Sequence, residues 1–190
     1  MEFNPKNISL VVGIGNPDSS YDGTYHNVGL WFVRELLSRL SSLHFAEDPS
    51  SGGGITLFSS SDSPLKIGLS EVYMNRSAKS VGSALSLASA SPERLLLVHD
   101  DSDIALGSYS FSFDRGSAGH NGISSVQGAI GKKFWRLRIG IRDKNLEDKK
   151  AGDFVLENIS KEHHVVLLDV FETIFLELPF TEPDQNSKKT

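Results

Sequence analysis

The chain has 190 residues, of which 38% are hydrophobic and 23% charged, enough for one domain with a real core. It contains no cysteine, which excludes disulfides, thiolate catalysis and cysteine-bound zinc. The formal net charge of −5 weighs against a uniformly basic nucleic-acid binder.

No apolar run approaches the roughly 20 residues needed to cross a bilayer, so no membrane association is expected. The N-terminal MEFNPKNISL lacks the charged-then-apolar layout of a secretory signal and the Arg-rich layout of a transit peptide. A cytoplasmic address is expected, with a mitochondrial one as the alternative.

ISLVVGI (8–14) is an apolar, β-branched run stopped by Gly15, Asn16 and Pro17, and reads as a buried strand. A helical pattern follows, with Gly29, Phe32, Val33, Leu36, Leu37, Leu40 and Leu43 at spacings of three and four. Residues 46–54 and 59–64 are Ser/Gly/Pro-rich and read as loops around the strands 55–59 and 65–71. Asn75 is placed to cap a helix whose apolar stripe is Ala78, Val81, Leu85 and Ala88. RLLLVHD (94–100) reads as a second buried strand, and GSYSFSF (107–113) as a half-exposed one. A short helix with Ile123, Val126 and Ile130 inward precedes the alternating strand WRLRIGI (135–141). The last helix, near 160–178, carries Leu167, Val170, Phe171, Ile174, Phe175 and Leu178 on one face. This alternation predicts a single α/β domain over 1–180, a mixed sheet flanked by helices, with a flexible tail at 181–190.

Polar residues gather where strands end, the place where open α/β sheets build their sites. The clusters are Gly15-Asn16-Pro17 with Tyr21; Tyr25-His26-Asn27; Met74-Asn75; and His99-Asp100 with Gly119-His120-Asn121-Gly122. Each residue alone reads as a cap or a loop histidine. Together they indicate a hydrolase or a ligand-binding site.

Several familiar motifs are absent. Gly13-Ile14-Gly15 begins like a dinucleotide loop, but position 18 is Asp18, whose charge would repel a pyrophosphate. No serine sits in a nucleophile elbow and no Walker loop is present. His26, His99, Asp100, Asp101, Asp103 and His120 are metal-ligand types, yet no HExxH-like spacing fixes two histidines on one helix face. Neither a metal nor another cofactor is expected.

The charge is unevenly spread. Residues 132–150 hold eight Lys or Arg against three Asp or Glu, a net of +5, while the rest of the chain carries a net of −10. Such a stretch is either a solvated loop or a phosphate-binding surface.

The segments VVGIGNPDSSYDGTYHNVGLWFV, YMNRSAKSVG, LLLVHDDSDIALG, GSAGHNGISSV and FWRLRIGI, in that order, resemble the bacterial-type peptidyl-tRNA hydrolases from about residue 8 to 178. The resemblance implies a monomeric enzyme that cuts the ester between a peptide and the tRNA carrying it. It implies that His26 is the general base and Asp100 its orienting carboxylate. Asn16, Asn75 and Asn121 match the amides that hold peptide, water and carbonyl. Met74 matches an apolar wall of the peptide cleft, Tyr21 a residue beside the tRNA end, and His120 a rim position next to Asn121. Arg138 and Lys150 match positions that grip tRNA phosphate.

The chain also departs from the family's pattern. Tyr25 stands where many relatives have Arg, Ser108, Ser110 and Ser112 occupy a strand that often carries Lys or Arg, and Ala118 replaces a glycine. Arg115, close by in sequence, can return some of the positive charge. Two competing readings remain: a relative that binds RNA without catalysis, and a metal-dependent hydrolase built on the His/Asp cluster.

Overall fold

The computed structural model describes residues 2–144, 150–178 and 180. The tail 181–190 and residues 145–149 of the basic stretch lie outside the described residues.

In chain order the elements are β1 (Leu10–Gly13), α1 (Val28–Arg39), β2 (Ala46–Glu47), β3 (Ile55–Ser60), β4 (Ser63–Ser70), α2 (Ser77–Ala88), β5 (Leu95–Ala105), β6 (Tyr109–Phe113), α3 (Asn121–Ile130), β7 (Trp135–Arg142), α4 (Ala151–Phe154) and α5 (Lys161–Glu177). The strands form one sheet in the order β2-β3-β4-β1-β5-β7-β6. β4, β1, β5 and β7 run parallel in the centre, and β2, β3 and β6 are antiparallel at the two margins. This is the mixed sheet between helices that the alternation of elements predicts.

The period of two along each strand divides the core between the faces. Val11, Leu96 and Val98 face α1 and α5, where they meet Phe32, Val33, Leu36, Phe171 and Ile174. Leu10, Val12, Leu95 and Leu97 face α2 and α3, where they meet Val81, Ala84, Ile123 and Val126. The stripe expected on the last helix is buried in full, from Leu167 to Leu178.

Local expectations needed correction in four places. Asn75 does not cap α2; it lies in a 3-10 turn, Met74–Arg76, and the helix begins two residues later behind Arg76. Ala46–Glu47, read as loop, pairs with Phe58 and Ser59 as a short edge strand. The hairpin between β3 and β4 is tighter than the Ser-rich sequence suggested, since Ser60 already pairs with Ser63. β7 does not alternate in exposure, because it is covered on both sides and even Arg136 is buried.

The entry of α1 onto the sheet depends on glycine. A Cβ on Gly29 would lie 2.4 Å from the Val98 carbonyl oxygen and 2.8 Å from that of Ile14. Backbone oxygens held in a central sheet cannot yield as a side chain can. We therefore expect Gly29→Ala to destabilise the fold by about 1–3 kcal/mol, the usual scale of overpacking. Denaturant unfolding measures this, and a change below about 0.5 kcal/mol would show that α1 can slide off the sheet.

Candidate active site

The four parallel strands end on one edge of the sheet, and the polar clusters sit there. After β1 the chain passes through Asn16 and Tyr21 to a buried 3-10 turn, Tyr25–Asn27, that feeds α1. After β4 it forms the turn Met74–Arg76 that feeds α2. β5 carries Asp100 at the same level.

Asp100 is 1% exposed and lies between two histidines. His26 Nδ1 is 3.0 Å from both of its carboxylate oxygens, and His120 Nε2 is 3.1 Å from Oδ1. His120 Nδ1 accepts the backbone N–H groups of Gly122 and Ile123, so its proton sits on Nε2 and points at Asp100. His120, expected at the rim, thus turns inward: one nitrogen caps α3 and the other braces the carboxylate. His26 donates its Nδ1 proton to Asp100, which leaves the Nε2 lone pair uncommitted.

Burial alone would push Asp100 up, but the two imidazoles hold it far below the usual carboxylate range. Burial disfavours charge on His26 as well. The Asp100 charge and hydrogen bond outweigh it and raise His26 above 6.5. Among the described residues His99 makes no hydrogen bond to the Asp100 carboxylate, and its ring meets His120 edge-on at 4.8 Å between centroids. It is fully buried, its Nδ1 lies 2.6 Å from the Asp100 carbonyl oxygen, and burial presses it well below 6.5.

His26, Asp100 and His120 offer three ligand atoms within 4.8 Å of one another. His99, Asp101 and Asp103, the other ligand types singled out in the sequence, do not join them. The closeness of the trio follows from its hydrogen bonds, which already engage both Asp100 oxygens, His26 Nδ1 and both nitrogens of His120.

Asn27 and Asn16 are interlocked. The Asn27 carboxamide accepts the Asn16 N–H at 2.7 Å and donates to the Asn16 carbonyl at 2.9 Å. Asn16 Oδ1 in turn accepts the Met74 N–H at 2.9 Å, which ties the β1 turn to the β4 turn. That bond fixes the Asn16 amide orientation and leaves its Nδ2 hydrogens for another acceptor.

A cleft of about 530 Å³ opens over these groups. Of the residues expected at the site, Asn16, Tyr21, His26, Met74, Asn75 and Asn121 line it. Asp100 and His120 stand behind His26. Among the described residues the Asn75 and Asn121 side chains make no hydrogen bond, and both are exposed. Ala118, in the loop before Asn121, has φ +51°, a conformation that costs a non-glycine residue about 1 kcal/mol.

Sequence reasoning missed Tyr73, Arg76, Gly152, Val155 and Leu156, which also line the cleft. Tyr73 and Arg76 adjoin Met74 and Asn75, which the sequence singled out. Val155 and Leu156 lie in FVLEN after α4, an apolar run with no polar signal.

Neither of the two basic positions lines the cleft. Arg138 is on β7, partly buried, and its Nε donates to Asp101 Oδ2 at 2.7 Å. Lys150 is exposed at the start of α4, where its N–H meets Asp153. Arg136, next to Arg138 on the same strand face, is 3% exposed.

The geometry can be set beside known proteins. The sequence model of the family described as Peptidyl-tRNA hydrolase matches residues 10–186. The Neisseria meningitidis FAM18 protein named peptidyl-tRNA hydrolase is 34% identical over 157 residues, covering 82% of this chain and 81% of that one. The Rickettsia bellii protein of the same name is 32% identical over 166 residues, covering 87% and 88%. The crystal structure of peptidyl-tRNA hydrolase from Acinetobacter baumannii superimposes with a TM-score of 0.79 at 28% identity, covering 90% of this chain and 87% of that one. Matched along nearly all its length, the chain belongs to the peptidyl-tRNA hydrolase family.

Proposed function

We propose that this protein hydrolyses the ester bond between a peptide, or an N-blocked amino acid, and tRNA. The observation that carries the reading is His26: Nδ1 held by a buried carboxylate, Nε2 uncommitted, and the ring lining a cleft among three asparagines. His26 Nε2 takes a proton from water as the oxygen attacks the ester carbonyl. Asp100 holds the imidazole in the needed tautomer and stabilises the imidazolium. The amide hydrogens of Asn16, Asn75 and Asn121 hold the water and the developing oxyanion. The imidazolium then returns its proton to the ribose oxygen as the tRNA leaves. Met74 and Tyr21 pack beside the peptide and the tRNA end. An aminoacyl ester is already activated, so a base worth about 10²–10⁴ in rate and donors worth about 10²–10³ each suffice.

His26→Ala should lower kcat for release of N-blocked aminoacyl groups from tRNA by about 10²–10⁴. Asp100→Asn should lower it less, since the base remains. The pH profile carries a sign. His26 works only when neutral, and its pKa is raised, so kcat/KM should climb with pH through a midpoint above about 6.5. Asp100→Asn removes the raising influence and leaves burial, so the midpoint should move to lower pH. An unmoved midpoint would separate His26 from the observed base.

Activity should persist in excess EDTA, because the chain supplies base and donors and the solvent supplies the water. Loss of activity on chelation, restored by a divalent ion, would instead make His26, Asp100 and His120 metal ligands.

Arg138 and Lys150 are proposed to grip tRNA phosphate beside the cleft. Each such contact adds about 0.9 to the slope of log affinity against log salt for duplex, and about 0.7 for single strands. The Arg138→Ala, Lys150→Ala double variant should raise KM and flatten that slope, with kcat little changed. If Arg138 serves only as partner to Asp101, its loss should lower thermal stability and leave the slope intact.

A further inference from the structure

The three residues of the turn that carries His26 are each anchored on a different element. His26 leans on Asp100 of β5, and Asn27 holds the backbone of Asn16. Tyr25, which does not line the cleft, reaches the other way. Its hydroxyl lies 2.6 Å from Nδ1 of His163 on α5, and its ring meets Phe154 edge-on at 6.1 Å between centroids.

Burial, with the charges of Asp143 and Glu157, pushes the phenol above its ordinary value, against a smaller opposing effect from the Ser160 backbone. Where the His163 proton sits on Nε2, the hydroxyl donates to Nδ1. His163 Nε2 in turn faces Asp143 Oδ2 at 3.6 Å. Tyr25, His163 and Asp143 form a chain of partners leading away from the catalytic turn.

The backbone of the turn is also stitched to the segment after α4. Tyr25 N–H donates to Glu157 O, His26 N–H donates to Val155 O at 2.8 Å, and Ile159 N–H donates to Gly23 O. Thr24 and Asn158 complete this seam as an isolated bridge. A line of backbone bonds fixes position along the seam better than rotation about it. The phenol–imidazole contact lies off that line, so it resists the rotation that would swing His26 Nε2 across the cleft.

We propose that Tyr25 and His163 are positioning residues for the reaction: their contact sets the orientation of the turn that presents the His26 base. The proposal rests on the reading of His26 as that base. Small misplacements of a reacting group cost rate steeply, about 10²-fold for 1 Å in unfavourable cases.

The test uses the full-length protein with Tyr25→Phe, His163→Leu, the double variant and His163→Gln, alongside His26→Ala. The readouts are kcat and KM for N-blocked aminoacyl-tRNA and the thermal midpoint. Tyr25→Phe and His163→Leu should each lower kcat about tenfold with KM within about twofold. The double variant should be no slower than either single one, since both remove the same contact. His163→Gln, whose amide oxygen can accept from the phenol, should recover most of the rate. If kcat stays within about twofold while only the thermal midpoint falls, or the two losses add fully, the positioning role is overturned. Unchanged kcat in Tyr25→Phe beside an inactive His26→Ala overturns this proposal alone. Wild-type protein that releases nothing from the substrate overturns the reading of His26, and this proposal with it.

Discussion

A carboxylate buried at the end of a central parallel strand governs this structure. Asp100 is 1% exposed, and an isolated charge there would be prohibitive. Two imidazole N–H donors make it tolerable, and each donor is thereby committed. The two histidines are not equivalent. His120 spends its second nitrogen capping α3, so its ring is fixed from both ends. Among the described residues the second nitrogen of His26 has no hydrogen-bond partner, and the Asp100 charge favours a proton arriving there. One anion thus yields one locked histidine and one basic one.

The rest of the fold serves to bring that network under the cleft. Parallel β4, β1, β5 and β7 deliver their C-terminal ends together, which places turns from three strands side by side. α1 must start close to the sheet for His26 to reach Asp100, and the glycine at position 29 allows the helix backbone to touch the strand backbone. Asn27 and Asn16 then tie the β1 turn together, and the Asn16–Met74 bond crosses to the β4 turn. The cleft floor is therefore a hydrogen-bonded sheet edge, and its polar groups are oriented before any substrate arrives. The wall formed by Val155 and Leu156 is held to the floor through the His26 and Tyr25 backbone.

Much of this was legible in the residues. Apolar runs of the right length located β1 and β5, and the three-and-four spacing located α1 and α5, because both signals follow from burial. Clustering of Asn and His at strand ends located the cleft floor. Contacts between distant segments carry no local signature and were not legible. Nothing in the sequence says that His120 turns inward to Asp100, that Arg138 meets Asp101, or that Tyr25 reaches His163 across 138 positions. Ala46–Glu47 was missed because a two-residue edge strand is defined by its partner and not by its own pattern. Asn75 looked like a cap because Asn at a helix start usually is one, yet here a 3-10 turn intervenes and its carboxamide goes to the cleft.

The choice between a hydrolase and a protein that only binds RNA turns on what the polar groups are costing. A binding surface needs positive charge and hydrogen-bond donors at its rim. It gains nothing from a carboxylate sealed beneath it, and replacing buried ionic groups by apolar ones is often neutral or stabilising. Here the sealed carboxylate does one thing that apolar packing cannot. It fixes the tautomer of His26 and raises its affinity for a proton while leaving Nε2 uncommitted. Phosphate recognition alone would not favour that arrangement, because the raised basicity is directed at the cleft and not at Arg138 or Lys150. The cleft in turn presents Asn75 and Asn121 with uncommitted carboxamides and holds Asn16 so that its amide hydrogens are free. On the proposed reading, proton acceptor and oxyanion donors share one floor, which is what attack of water on an ester requires and what binding without turnover does not.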